Sequence, residues 1–232
     1  MNFSMTKFKH VFPTLLIPVV LLGAGCAQKT PVVDEQAQEN IQEEVFVEAL
    51  QDGTYVLAAE ESTIVWNAQK RVGAKHNGTI AVQEESNIIV KEGEVVSGIM
   101  AADMTSIVDV DLTDEKFNTM LVNHLKSDDF FAVETYPSAT FAITQVVELE
   151  GIEGSTHRVT GTMLIKGIEN EISFPAQFTK AADGVRVKGT MTLDRTLWDV
   201  RFGSDKFFDN LGDGLIEDEF TLTFDMLFNV VE

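Results

Sequence analysis

Few side chains in this sequence have chemistry to offer. Its 232 residues contain one cysteine and four histidines. His76, His124 and His157 are widely separated and do not have the close paired spacing of a zinc site, so no metal is expected. Taken by itself, His76, in Lys75-His76-Asn77-Gly78, reads as a structural histidine fixing the start of a strand. Asp205, Asp209, Asp213, Glu217, Asp218 and Glu219 gather carboxylates. They lack the EF-hand order and its bidentate Glu, so a solvated loop is the simpler reading. Nucleophilic catalysis has little support, since there is no Gly-x-Ser-x-Gly elbow and no evident Ser/His/acid set. An enzyme is therefore the weaker class, and no cofactor is implied.

The single cysteine has a different use. Lys7 and Lys9 form a short basic head without acids, and residues 11–22 follow as an apolar run interrupted by Pro13 and Pro18. A membrane-spanning helix needs about 20 apolar residues, so this run reads as a signal-peptide core. Gly23-Ala24-Gly25-Cys26 closes it, and a lone thiol in an exported chain has no disulfide partner. The arrangement resembles the bacterial lipobox, with Leu22 one place earlier than usual, and implies an acyl anchor on Cys26. Residues 1–25 are thus expected to be a lipoprotein signal peptide. Ala27, in place of an inner-membrane retention Asp, favours by analogy the outer membrane, with the domain facing the periplasm.

Loss of two lysines with the leader takes the formal charge from −20 to −22. Such a surface repels phosphate backbones, which argues against nucleic-acid binding. Residues 26–53 are rich in Gln, Glu, Asp and Ala and read as an acidic flexible tether. Residues 54–232 suit one domain with a sizeable core.

The elements of that domain follow from period-two patterning. Val159, Gly161, Met163 and Ile165 form one apolar row. Ile172, Phe174, Ala176 and Phe178 form a second, and Val185, Val187, Gly189, Met191 and Leu193 a third. Phe220, Leu222, Phe224, Met226 and Phe228 form the clearest. Segments 64–70, 78–83, 87–91 and 95–104 are also strand-like, with turns at Glu92-Gly93, Lys166-Gly167 and Asp183-Gly184. One helix interrupts them, with Thr113 as its expected cap and Phe117, Met120, Leu121, His124 and Leu125 on one face. With a single helix to cover a sheet, the apolar rows must face one another. The expectation is an all-β antiparallel barrel or sandwich of about eight strands with one short helix. Patterning alone favours a filled interior over one that holds a ligand.

Longer motifs carry more. Trp66-Asn67-Ala68-Gln69-Lys70, His76-Asn77-Gly78-Thr79-Ile80 and Asp103-Met104-Thr105-Ser106-Ile107 resemble the YceI-like family. So do His124-Leu125-Lys126-Ser127-Asp128-Asp129-Phe130-Phe131, Tyr136-Pro137-Ser138-Ala139-Thr140-Phe141, Gly161-Thr162-Met163-Leu164-Ile165-Lys166-Gly167 and Asp194-Arg195-Thr196-Leu197-Trp198. The resemblance spans residues 53–231. It departs at Asp199, where members often have Gly, and in the Asp- and Gly-rich stretch 207–219. It implies an extended lipocalin-like barrel that binds a polyisoprenoid or other long-chain lipid, without catalytic machinery.

On that reading, Trp66, Ile80, Phe141, Met163, Phe174, Phe178, Met191, Phe224 and Phe228 are the expected lumen residues. Asp194-Arg195 reads first as an ion pair or turn clamp beside Trp198; His76, Arg195 and Arg201 are also the candidates to meet a headgroup, with Lys206 as a further cation nearby. The alternative is an envelope scaffold lipoprotein with a filled barrel, acting through a protein partner. A homodimer through an edge strand or the helix is open in either case.

Overall fold

The computed structural model describes residues 50–231. Cys26, the stretch read as a leader and most of the stretch read as a tether therefore lie outside the described residues. The alternating rows become ten strands. They are β1 (Gly53–Leu57), β2 (Thr63–Gln69), β3 (Lys75–Val82), β4 (Asn87–Lys91), β5 (Glu94–Asp109), β6 (Ser138–Glu148), β7 (His157–Ile165), β8 (Ile168–Ala181), β9 (Gly184–Asp194) and β10 (Glu219–Val230). The helix, α1, spans Glu115–Lys126 and lies between β5 and β6 in sequence.

Every pairing is antiparallel, and the sheet closes on itself. Six strands, β5 to β10, run side by side, with β5 also paired to β6. The remaining gap between β5 and β10 is filled twice. Near α1 it is filled by β3 and β2, through Gly78↔Asp109 and Thr221↔Asn67. At the far end it is filled by β4 and β1, through Ile89↔Ser97 and Tyr55↔Val230. Either route gives a closed ring of eight strands, as the patterning anticipates. The sixteen-residue β5 serves both routes, and register shifts against β4 and β3 let it do so. Such bulges bend a strand and raise its twist, which closure requires.

Local chemistry fits these positions. The β7–β8 hairpin turns on Lys166-Gly167, both with positive φ (52° and 74°), the mirror-image turn whose twist matches paired strands. Inward rows are buried: Val159, Met163 and Ile165 on β7, and Phe224, Met226 and Phe228 on β10. Each such side chain contributes about 1.5–3 kcal/mol on leaving water.

Two sequence expectations shift. The helix cap is Asp114 and not Thr113, because the Asp114 carboxylate accepts the Lys116 and Phe117 N–H groups (3.0 and 3.2 Å). Only part of the expected helix face packs. Leu125 is buried and Leu121 packs against the core, while Phe117 and Met120 are each 58% exposed. Leu125 reaches the interior at this end of the barrel beside Trp66 and Phe130, and Phe117 and Met120 are left to solvent. The folded region also reaches into the end of the stretch read as tether. Leu50 packs against the core, and β1 starts at Gly53.

Candidate functional site

The inward rows enclose a central cavity of about 110 Å³. Ile80, Phe141, Met163, Phe174, Phe178, Met191, Phe224 and Phe228, eight of the nine residues expected to face the lumen, border it. Among the lining rings, Phe174 lies 5.3 Å from Phe141 and 5.6 Å from Phe224. The lining is hydrocarbon or thioether throughout except for Thr140, and among the described residues no titratable side chain reaches it.

Trp66 is placed differently. It lines a second, smaller chamber of about 70 Å³ toward α1, together with Leu125, Phe130 and Arg195. Its indole N–H donates to the Val108 carbonyl of β5 (3.0 Å), which ties the ring down. Ile80, Phe131, Phe220 and Leu222 border both chambers and form the partition between them. The family resemblance gives Trp66 as inward-facing, but a motif carries no information on height along the barrel. Phe131 was missed because it sits in the turn after α1, where no strand period exists. Met100 and Met104 were missed because the bends of β5 break its alternation.

The expected headgroup cations are engaged elsewhere. Arg195 is buried and spends all five N–H donors. Nε donates to Glu217 O, one terminal nitrogen to Val200 O and Phe202 O, and the other to Ile216 O and the Asp218 carboxylate. Burial lowers its pKa, against the opposing pull of Asp218 and Asp194. Arg195 is thus the peg that fastens the 195–218 loop over the helix end, and has no donor left for a ligand. Arg201 is exposed, pairs with Asp199 and lies over the Phe207 ring at 5.0 Å. Lys206 pairs with Asp194 (2.6 Å) and Asp218 (3.4 Å). Asp205 and Glu217 of the acidic stretch both bind Arg71 (2.9 and 3.1 Å). Asp199 has φ 57°, the left-handed conformation that explains why Gly suits this position.

His76 lies at the helix end, where β3 starts and β5 finishes. Its Nδ1 is 3.1 Å from Asp111 Oδ2 and 3.8 Å from Asp109 Oδ2. Burial pushes the Asp109 carboxyl above its ordinary value, and Asp111 adds to the rise. For Asp111 burial acts in the same direction, but the hydrogen bond from Asn77 N–H, with the neighbouring His76, outweighs it and holds the group low. His124 is packed edge-on against Phe130 and Phe202 (4.8 and 4.5 Å) and serves the helix-end packing.

At the far end, a recess of about 440 Å³ is lined by Leu50, Glu94, Glu148, His157, Lys180 and neighbouring residues. Phe178 borders both this recess and the central cavity, so its ring stands between them. The His157 ring lies 4.6 Å from Phe178 and contacts Thr156 Oγ1 (2.7 Å).

Among solved structures, the fold is similar to BcnA of Burkholderia cenocepacia, with a TM-score of 0.57 and 20% identity, covering 74% of this chain and 98% of that one. It is also similar to a domain from Saccharophagus degradans described as polyisoprenoid-binding and implicated in plant cell wall breakdown. That match has a TM-score of 0.56 and 14% identity, covering 76% and 98% of the two chains. Both likenesses concern the fold. Among curated proteins, UPF0312 proteins of Staphylococcus aureus, including that of strain N315, are 34% identical over 87 residues, or 34% of this chain. The chain spans about half the length of these relatives, 46%. The YceI-like domain model matches residues 55–228, most of the chain and every strand of the barrel. The chain belongs to the YceI-like domain family.

Proposed function

We propose that the barrel binds a long apolar lipid, of the polyisoprenoid or fatty-acid class, along its lumen. The observation that carries this reading is a cavity inside the barrel whose lining is apolar but for Thr140. A hydrocarbon chain loses nothing there, and a polar ligand would leave its hydrogen bonds unmade. Burial supplies affinity at about 0.8 kcal/mol per methylene, so roughly ten methylenes reach the scale of a micromolar complex. The description of the Saccharophagus degradans domain supports the lipid class.

Size sets a condition. A cavity of about 150 Å³ holds one benzene, so 110 Å³ does not accept a long chain without movement. The lining contains the means. Met100, Met104, Met163, Met191 and Met226 all border the cavity, and the three rotatable bonds of methionine let a lining reshape at low cost. Movement of the partition residues Ile80, Phe131, Phe220 and Leu222 would join the two chambers.

In the same reading, acylation of Cys26 holds the barrel at the bacterial envelope, on the periplasmic side of the outer membrane. There it stores, sequesters or passes on its lipid. Met163→Trp and Phe224→Trp each fill the cavity. Both are expected to abolish uptake of a long-chain isoprenoid while the far-UV circular dichroism of the barrel is retained. Uptake surviving both substitutions would refute the lumen assignment.

The small cavity favours one competing reading, a filled barrel that serves as an envelope scaffold through a protein partner. It predicts that no lipid travels with the purified protein and that both tryptophan variants behave like the parent.

A further inference from the structure

The geometry points to a divalent metal site of the zinc class at the helix end of the barrel, formed by His76, Asp109 and Asp111. It goes beyond the lipid reading and stands apart from what occupies the lumen. The three side chains come from the start of β3 and from the end of β5 and the residues just after it. Their ligating atoms all lie within 4.8 Å of one another.

Asp109 is the informative member. Its side chain has no solvent exposure, and its Oδ2 is the one buried side-chain nitrogen or oxygen, among the described residues, without a hydrogen-bond partner. A buried carboxylate oxygen left without a partner is costly, so such an atom calls for an occupant. That oxygen is directed at the cluster, 3.8 Å from His76 Nδ1.

The carboxylates are also held as ligands are held. Asp109 Oδ1 accepts the Leu112 N–H (2.8 Å) and the Asn118 side-chain amide (3.2 Å). Asp111 Oδ1 accepts the Asn77 N–H (2.9 Å). Each carboxylate is thereby oriented through one oxygen and presents the other, Oδ2, to His76 Nδ1. This is the arrangement by which outer groups aim metal ligands.

The donor set selects the ion. An imidazole nitrogen disfavours calcium and magnesium, which take oxygen ligands, while imidazole with carboxylates suits zinc and its neighbours. Ligands at about 2.0–2.2 Å in a tetrahedron lie about 3.4 Å apart. The observed separations of 3.1 and 3.8 Å from His76 Nδ1 bracket that figure. Two carboxylate charges balance the ion. His76 and Asp111 are partly exposed, at 24% and 29% of their side chains, and give the ion a way in. Three protein ligands leave a fourth position for water or a ligand group. Because Asn118 belongs to α1, the ion would clamp the helix end shut.

The test is isothermal titration of the untagged full chain, stripped with chelator, using Zn²⁺ as the probe. His76→Gln, Asp111→Asn and Asp109→Asn are run in parallel, and Co²⁺ is added to each as a spectroscopic reporter. The expected result is one saturable equivalent of Zn²⁺ and a visible Co²⁺ spectrum that Zn²⁺ displaces. Each substitution should weaken binding at least about ten-fold. Asp109→Asn risks the fold through its buried contacts, so the decisive variants are the two at partly exposed positions. No saturable equivalent overturns the site, as does unchanged affinity in both His76→Gln and Asp111→Asn.

Discussion

Phe224 of β10 rests over the bare α-carbon of Gly189 on β9. A Cβ at residue 189 would stand 2.6 Å from the ring's Cζ and 3.1 Å from its Cε1. The two residues are direct cross-strand partners, so the missing side chain makes the space that keeps this ring against the wall and out of the cavity. Gly189→Ala is expected to push the ring inward, destabilising the barrel by about 1–3 kcal/mol, the usual cost of overpacking. Urea unfolding should show a lower midpoint with an unchanged slope, and isoprenoid uptake should fall. Unchanged stability together with unchanged uptake would show that the wall has slack there.

Arg195 provides a second measurement. Its guanidinium satisfies four carbonyl oxygens of the 195–218 loop and one carboxylate, Asp218, itself only 15% exposed. Arg195→Ala strands them all. The expected loss is about 3–5 kcal/mol, as when one partner of a buried pair is removed. Arg195→Lys restores only part of it, because an ammonium has three donors and no planar fork. Hydrogen exchange should report the loss first in residues 199–218. A purely ligand-binding arginine would leave stability and exchange unchanged.

His157 gives the chain a pH response. Burial beside Phe178 lowers its pKa below 6.5, against the charges of Glu148 and Glu94. Between the folded value and 6.5 the unfolded chain binds the extra proton, so stability rises with pH across that window and is lost as pH falls through it. Melting temperatures of the parent and His157→Gln, measured from pH 7.5 to 5, should converge toward the acid side as the parent loses its advantage. Parallel curves over that range would exclude His157 as the source.

Much of the barrel is legible in the residues because period two leaves little choice. In Phe220, Leu222, Phe224, Met226 and Phe228 the row defines a face, and with one helix available the faces must close on themselves. Period two says nothing about height along the strand, which is why Trp66 belongs to the second chamber. In β1 it is too short a signal to read, since five residues follow an acidic stretch and only Tyr55 and Leu57 are buried. Helical spacing placed Phe117 and Met120 with Leu121, but only Leu121 and Leu125 find partners at the barrel end, which spacing along one helix does not encode. The His76–Asp109–Asp111 cluster was invisible for a different reason. It depends on the start of β3 pairing with the end of β5, and a histidine more than thirty residues before two aspartates forms no motif with them. For Arg195 the turn-clamp reading is available beside the headgroup one, but not the extent of the clamp. The five acceptors it satisfies come from residues 200–218, whose approach no local pattern encodes.

The central claim is that the lumen takes a lipid, and native mass spectrometry tests it most directly. Residues 27–232 would be secreted into a bacterial periplasm, purified without detergent and weighed intact, and the associated material extracted into organic solvent. The account predicts one long-chain lipid per protein, and its loss in Met163→Trp and Phe224→Trp. A protein of bare mass that also ignores added isoprenoids would contradict it and establish a filled barrel.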